Sequence, residues 1–523
     1  MNNNFMDAIN NVLVNSNSNI SITENGAIGY KTTGKKILDL NFQIPALRGM
    51  SDEEVITRFT EAYLQEPVVA FLWLFFARDA REGLGERRLF RTCLKFLHKK
   101  IKNMEAFVRL IPEYGRYDDL FVLSELGHKT EVMNFIKEQL AKDIVAEQSG
   151  KPVSLLAKWL KSVNTSSKES RKIALDTCKE LGLTPEKYRK LLSRLRKYID
   201  VTEVKMSANQ FDKIDYSAVP SKAALNYKEA FKRHDGERYE EFINKVNKGE
   251  AKINASVLYP HEIVHRYQDG NSYWRFGLKR TEDASLEALW KNLPDLVKGN
   301  GGTMVVADGS GSMCNMVPGG KVTAWEVAHS LALYFAQRAK GAFKDKYITF
   351  SERPQLVQVG SGSLWQDLQI AMRHNECANT NIEAVFDLIL KTAMMNHMSQ
   401  DELPENILII SDMEFDSCAV DNSYSAWGSR IGIQNKNLFK VIEGRFKAAG
   451  YKLPRLVFWN VNSRTGTIPV KENELGVSLV SGFSVNIVKM VMDGELDPYI
   501  NLLKVLFSER YQPVIDYLTE NGI

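Results

Sequence analysis

The chain has 523 residues, 44% of them hydrophobic and 25% charged, with a formal net charge of +4. This is the composition of an ordinary globular protein, long enough to bury large cores without staples, so a disordered, collagenous or disulfide-built chain is excluded. The longest apolar run, residues 68–77, falls well short of the roughly 20 residues that span a bilayer, and no transmembrane helix is expected.

Other bulk features narrow the setting. The amino terminus, MNNNFMDAINN, carries an acid and lacks a cationic segment, so a secretory signal is not expected. The five cysteines, Cys93, Cys178, Cys314, Cys377 and Cys418, form no CxxC pair. Reduced thiols, a cytoplasmic location, and neither a zinc site nor a disulfide framework are the expectation. Charge is uneven: residues 300–523 hold 20 Lys and Arg against 24 Asp and Glu, while residues 1–299 hold 48 against 40. The positive excess of the first part points to an anionic partner.

In chain order, residues 1–35 are rich in Asn and Ser and read as a loose arm. A helical pattern begins near Asp52, where Ser51 and Glu54 form a capping box ahead of Val55, Phe59 and Tyr63. Pro67 opens a second, very apolar helix. Further helices are predicted at about 86–100, 103–111, 116–124, 129–146, 154–162, 168–181, 185–197, 221–233 and 236–247, with short polar links. Almost no alternating strand pattern precedes residue 300, so residues 36–299 are expected to form an all-α stack of helix pairs, a HEAT-like repeat module.

At Lys298–Gly302 the pattern changes. Apolar strands at 303–307, 346–350, 355–359, 406–411 and 455–460 alternate with helices at 323–339, 363–372, 381–396 and 436–449. Residues 300–523 are therefore expected to form a mostly parallel, doubly wound, Rossmann-like α/β sheet covered on both faces. Ligands of such sheets bind beyond the carboxyl ends of the strands. VVADGSGSM sets Asp308, Ser310 and Ser312 just past the first strand, IISDMEFD sets Asp412 at the end of another, and NTNIEAVF sets Thr380 before a helix. Carboxylate and hydroxyl oxygens without His or Cys suit a hard cation, Mg²⁺ or Mn²⁺, and leave a coordination position open to an acidic group of a protein partner. Glu414 and Asp416 are further acids nearby; an N-cap or turn without an ion is the plain alternative. His374 and His397 read as surface or capping residues.

The order DxSxS, Thr, Asp resembles the metal-ion-dependent adhesion site of von Willebrand A domains, with all five positions present. In the helical part, RDAREGLGERRLF, PEYGRYDDL and YRKLLSRLRKYIDVTE, followed by DxSxS, resemble the Ro autoantigens, whose TROVE module is a ring of helical repeats closed by a von Willebrand A domain. The resemblance runs over nearly the whole chain from about residue 38. It implies binding of small structured RNA. Two basic clusters are candidate phosphate contacts: Arg78, Arg81, Arg87, Arg88 and Arg91, then Arg189, Lys190, Arg194 and Lys197. The competing reading of each is a solvated face, or Arg–Asp pairs tying helices together, such as Arg78 with Glu82 and Asp79 with Arg87. Tyr114, Arg116 and Trp159 read as packing residues. A protein-interaction scaffold working through the ion is the alternative function. No P-loop, nucleophile elbow, HExxH or paired acid–base set occurs, so an enzyme is not expected.

Overall fold

The computed structural model describes residues 19–23, 28–268, 277–297, 302–350, 353–375, 382–414, 438–464, 466–469, 477–492 and 497–523. Contacts divide the chain into two units, each discontinuous in sequence: Met1–Met50, Tyr267–Leu278 and Asp295–Val505 in one, and Ser51–Arg266, Lys279–Pro294 and Leu506–Ile523 in the other.

The first unit is built on a sheet. Two short strands, β1 (Ile20–Ile22) and β2 (Ile28–Tyr30), pair antiparallel within the segment expected to be a loose arm. Tyr30 bridges Ile468 and the Ser21 hydroxyl meets that of Thr467 at 2.9 Å, so this ribbon is tied to a distant loop that its own sequence does not announce. The main sheet comprises β3 (Thr303–Asp308), β4 (Lys346–Phe350), β5 (Gln355–Gln358), β6 (Asn406–Ser411), β7 (Arg455–Asn460) and β8 (Val477–Ser481). Its order is β5-β4-β3-β6-β7-β8, parallel except for the hairpin between β4 and β5. Every residue of β7 and β8 is buried, the signature of strands covered on both faces, whereas edge strand β5 alternates. The Ala324–Arg338 helix, opened by a Thr323/Glu326 capping box, packs against β3, β4 and β6.

Residues 36–50 belong to this unit, not to the helical one. The Lys36–Phe42 helix lies on β8, the Asn460 side chain donates to the Phe42 carbonyl at 2.8 Å, the Ser481 hydroxyl donates to the Asn41 carbonyl, and the Arg48 guanidinium covers the Phe483 ring. The boundaries drawn at 35/36 and 299/300 are crossed because partners far apart in sequence satisfy one another's buried polar groups.

The second unit is helical, with no strand among its described residues. The Asp52–Gln65 helix carries the expected capping box and packs on Pro67–Arg78 and Arg87–Leu97. Met104–Tyr114 packs on Lys129–Gln148, and Ser221–His234 on Gly236–Asn247. The predicted helix at 116–124 is a 3₁₀ turn, Tyr117–Asp119, followed by Leu120–Glu125. The last helix, Gln512–Glu520, returns to pack on Pro67–Arg78 and Met104–Tyr114, where Tyr517 stacks on Phe71 at 5.9 Å. Its amphipathic face is completed by helices that precede it by some four hundred residues, so residues 506–523 leave the expected 300–523 domain.

Candidate metal centre and basic surfaces

The chain leaves β3 to form β4 on one side, then returns to place β6 on the other. The crevice for ligands in such a sheet lies at this reversal, beyond the carboxyl ends of β3 and β6. Both buried carboxylates of the DxSxS–Thr–Asp set fall there. Asp308 ends β3, and the register pairing Ala307 with Ile410 sets it opposite Ser411. Its Oδ2 accepts from the Ser411 hydroxyl at 2.6 Å, and its Oδ1 accepts from the Ser310 backbone N–H at 2.9 Å. The Ser310 and Ser312 hydroxyls lie 3.0 Å apart. Asp412 follows β6 directly and accepts at Oδ1 from the Glu414 N–H at 3.3 Å. Its buried Oδ2 makes no hydrogen bond, with an Arg464 guanidinium nitrogen 3.7 Å away.

Asp308 and Asp412 are both fully buried. Burial, followed by the charge of Asp412, pushes the Asp308 carboxyl up to about 7. Burial likewise raises Asp412, against the Ser312 hydroxyl and the Arg464 charge, to about 6. Two adjacent buried carboxylates thus stand beside three hydroxyls, those of Ser310, Ser312 and Ser411, and Asp412 Oδ2 is left without a hydrogen bond. A hard cation would satisfy that oxygen and relieve the mutual repulsion, so the donor set fits Mg²⁺. Thr380 and Asp416 lie outside the described residues. Among the described residues no group of three or more His, Cys, Asp or Glu side chains has metal-binding geometry; the set here relies on hydroxyls. A Cβ on Gly309 would meet only the tip of the Asn375 side chain, at 2.7 Å, which a turn of that side chain relieves.

No motif in the sequence marks Ser411 or Arg464, and Glu414 stands in it only as a further acid near the set. Glu414 is fully buried and accepts from the Arg464 N–H at 3.0 Å. Ser411 precedes Asp412 and was legible as a polar residue closing an apolar strand. Arg464 sits in a loop with no motif and is brought in by the β6–β7 pairing.

The first basic cluster is tied into a joint between helices, although Arg81, Arg87 and Arg88 keep exposed side chains. Arg78 is buried and donates to Asp119 at 2.8 Å, Arg91 donates to Asp119 at 2.6 Å, and Arg87 pairs with Asp118 at 2.5 Å. The Arg116 backbone N–H completes the Asp119 carboxylate at 3.0 Å. Burial would raise that carboxyl, but Arg78 and Arg91 outweigh it and hold it below its ordinary value. RDAREGLGERRLF and PEYGRYDDL are therefore bound to each other. Arg–Asp tying is what the cluster does, with partners other than Glu82 for Arg78; Asp79 instead holds Arg510 at 2.8 Å. Arg78, expected among the phosphate contacts, is removed from them by its burial. Arg88 pairs with Asp52 at 2.8 Å and Arg81 is exposed. The intervening loop is tight: a Cβ on Gly83 would meet the Phe76 carbonyl at 2.1 Å. Arg116 stacks over Trp159 at 4.5 Å and Tyr114 is buried, both packing roles as expected.

The second cluster lies open. On the Pro185–Tyr198 helix, Arg189, Lys190, Arg194 and Lys197 are all exposed, and Lys187, Lys190, Arg194 and Lys197 follow one helical stripe. Lys190 pairs with Glu186 and Arg194 with Glu147 at 3.1 Å. Arg196, between them, donates instead to the carbonyls of Ala157 and Leu160 and to Ser162, a structural role. A cleft of about 230 Å³ beside the stripe is lined by Ser162, Asn164, Arg189, Ser193 and Arg196.

Among the described residues, no helix is long and apolar enough to cross a membrane. Residues 302–501 match a family described as a domain of unknown function, DUF7788, and residues 152–303 match another, DUF2828. The two matches meet at the start of β3. An uncharacterized protein of Acanthamoeba polyphaga mimivirus is 28% identical over 536 residues, covering 95% of this chain and 89% of the relative, so the similarity takes in both units.

Proposed function

We propose that this chain is a divalent-cation-dependent binding protein whose sheet unit is a doubly wound domain of von Willebrand A type. Asp308, Ser310, Ser312 and Asp412, joined by Thr380, hold one Mg²⁺ or Mn²⁺, and the ion's open position takes an acidic group of a protein partner. The observation that carries this reading is the pair of fully buried carboxylates at the sheet's reversal point, one of them with an oxygen that no donor satisfies. When bound, the ion supplies a Lewis-acidic position for a carboxylate. Asp308 is held in place by Ser411 and Ser310, so its oxygens are oriented before any ligand arrives. The role is read as adhesive, as the resemblance to the von Willebrand A adhesion site implies. Calorimetry on chelator-treated protein tests the reading: one Mg²⁺ or Mn²⁺ per chain is expected for the native sequence and none for Asp308→Ala, with the sheet still folded. Equal metal binding by the two proteins overturns it.

A second reading, binding of small structured RNA by a HEAT-like helical unit, is favoured by the exposed stripe on the Pro185–Tyr198 helix. No ion pair holds Lys187, Arg189 or Lys197 among the described residues, and the exposed pair of Lys190 with Glu186 costs little to exchange for phosphate.

A further inference from the structure

The helical unit contains a second cluster of metal-ligating type, unrelated to the sheet site. His98 opens the short turn His98–Lys100 that follows the Arg87–Leu97 helix, and His128 immediately precedes the Lys129–Gln148 helix. His128 makes no side-chain cap to that helix. Instead Nε2 of His128 and Nδ1 of His98 share a hydrogen bond at 3.1 Å, one ring donating and the other accepting, with the rings 5.3 Å apart between centres and inclined by 72°. Both residues are only partly buried, so solvent and ions reach them. A tetrahedral cation bound about 2.0–2.1 Å from each of two imidazole nitrogens holds them about 3.3–3.4 Å apart, so an ion takes the place of the shared proton once the rings part by a few tenths of an ångström and turn both lone pairs towards it. On the far side of His128, a Glu131 carboxylate oxygen lies 3.8 Å from Nδ1, beyond hydrogen-bond range but close enough to favour positive charge at the ring.

We infer that His98 and His128 form a two-histidine site for a borderline transition cation such as Zn²⁺, Co²⁺ or Ni²⁺, with water completing the coordination. Imidazole selects this class over Mg²⁺, so the site and the sheet's oxygen site take different ions. The bound ion would clamp the Arg87–Leu97 and Lys129–Gln148 helices together.

The test uses full-length, chelator-stripped protein titrated with Co²⁺ in the presence of saturating Mg²⁺, read by visible ligand-field absorption. One Co²⁺ per chain is expected. His98→Gln and His128→Gln should each weaken binding at least tenfold, whereas Asp308→Ala should leave it within about twofold, which separates this site from the proposed A-domain site. Unchanged Co²⁺ affinity in both histidine variants, or loss in Asp308→Ala alone, overturns the inference. Should the histidine variants not fold, X-ray absorption of the native chain decides: two imidazole nitrogens on cobalt support the site, and fewer than two overturn it.

Discussion

Replacing Asp308 by Asn should stabilise the metal-free protein near neutral pH while abolishing its response to Mg²⁺. Asn keeps the shape and an acceptor for the Ser310 N–H, and the Ser411 hydroxyl can turn to accept from the new amide. What is removed is a buried charge. The folded-state value of Asp308 lies near 7 against an ordinary 3.8, so between those values the folded chain holds a proton that the unfolded chain has released. Stability from this group is complete below about pH 4 and is lost as pH rises towards 7. At about 1.4 kcal/mol per pKa unit the loss has a ceiling of about 4 kcal/mol, and Asp412 shares it. His329 runs the other way. It is fully buried against Trp325 and burial lowers it to about 3, so it contributes stability that appears as pH rises towards 6.5. The native curve alone is therefore flattened, and the diagnostic quantity is the difference between variant and native chain. In urea unfolding with chelator, that difference should grow from near zero at about pH 4 to a few kcal/mol at about pH 7.5. Mg²⁺ at about a hundred times its Kd should return about 2.7 kcal/mol to the native chain and nothing to the variant. A pH-independent difference, or equal Mg²⁺ stabilisation of both proteins, refutes the reasoning.

Asp119→Ala leaves the buried Arg78 guanidinium without its carboxylate and should cost about 3–5 kcal/mol in denaturant unfolding of the helical unit. Charge reversal of Arg87, Arg88 and Arg91 should likewise destabilise that unit, because it breaks the joint with Asp118, Asp119 and Asp52; unchanged stability would reopen this face as a phosphate surface. Reversal of Arg189, Lys190 and Lys197 should leave folding intact and, in filter binding across a salt series, weaken structured RNAs alike with a log–log slope shallower by about 2–3. An unaltered salt response there rejects RNA binding by the stripe. Gly83→Ala drives a Cβ into the Phe76 carbonyl and should cost about 1–3 kcal/mol or more by thermal unfolding.

The alternation of buried strands with helices after residue 300 was legible because a parallel strand covered on both faces must be apolar through its middle, as β3, β6 and β7 are. The capping box at Ser51, the DxSxS loop and the position of Asp412 were legible for the same reason, being set by chemistry within a few residues. Tertiary structure decided what depends on partners distant in the chain. It put the pairing of Asp308 with Ser411, across 103 residues, into the strand register, and brought Arg464 to Asp412. It turned Arg78 from a candidate phosphate contact into a buried counter-ion, since a run of arginines reads the same whether it faces water or a carboxylate 41 residues away. It also drew residues 36–50 to the sheet and 506–523 to the helices. A short amphipathic helix records that it needs an apolar surface but not which one, and the hydrogen bonds from Asn460 and Ser481 to the carbonyls at the end of the Lys36–Phe42 helix make that choice.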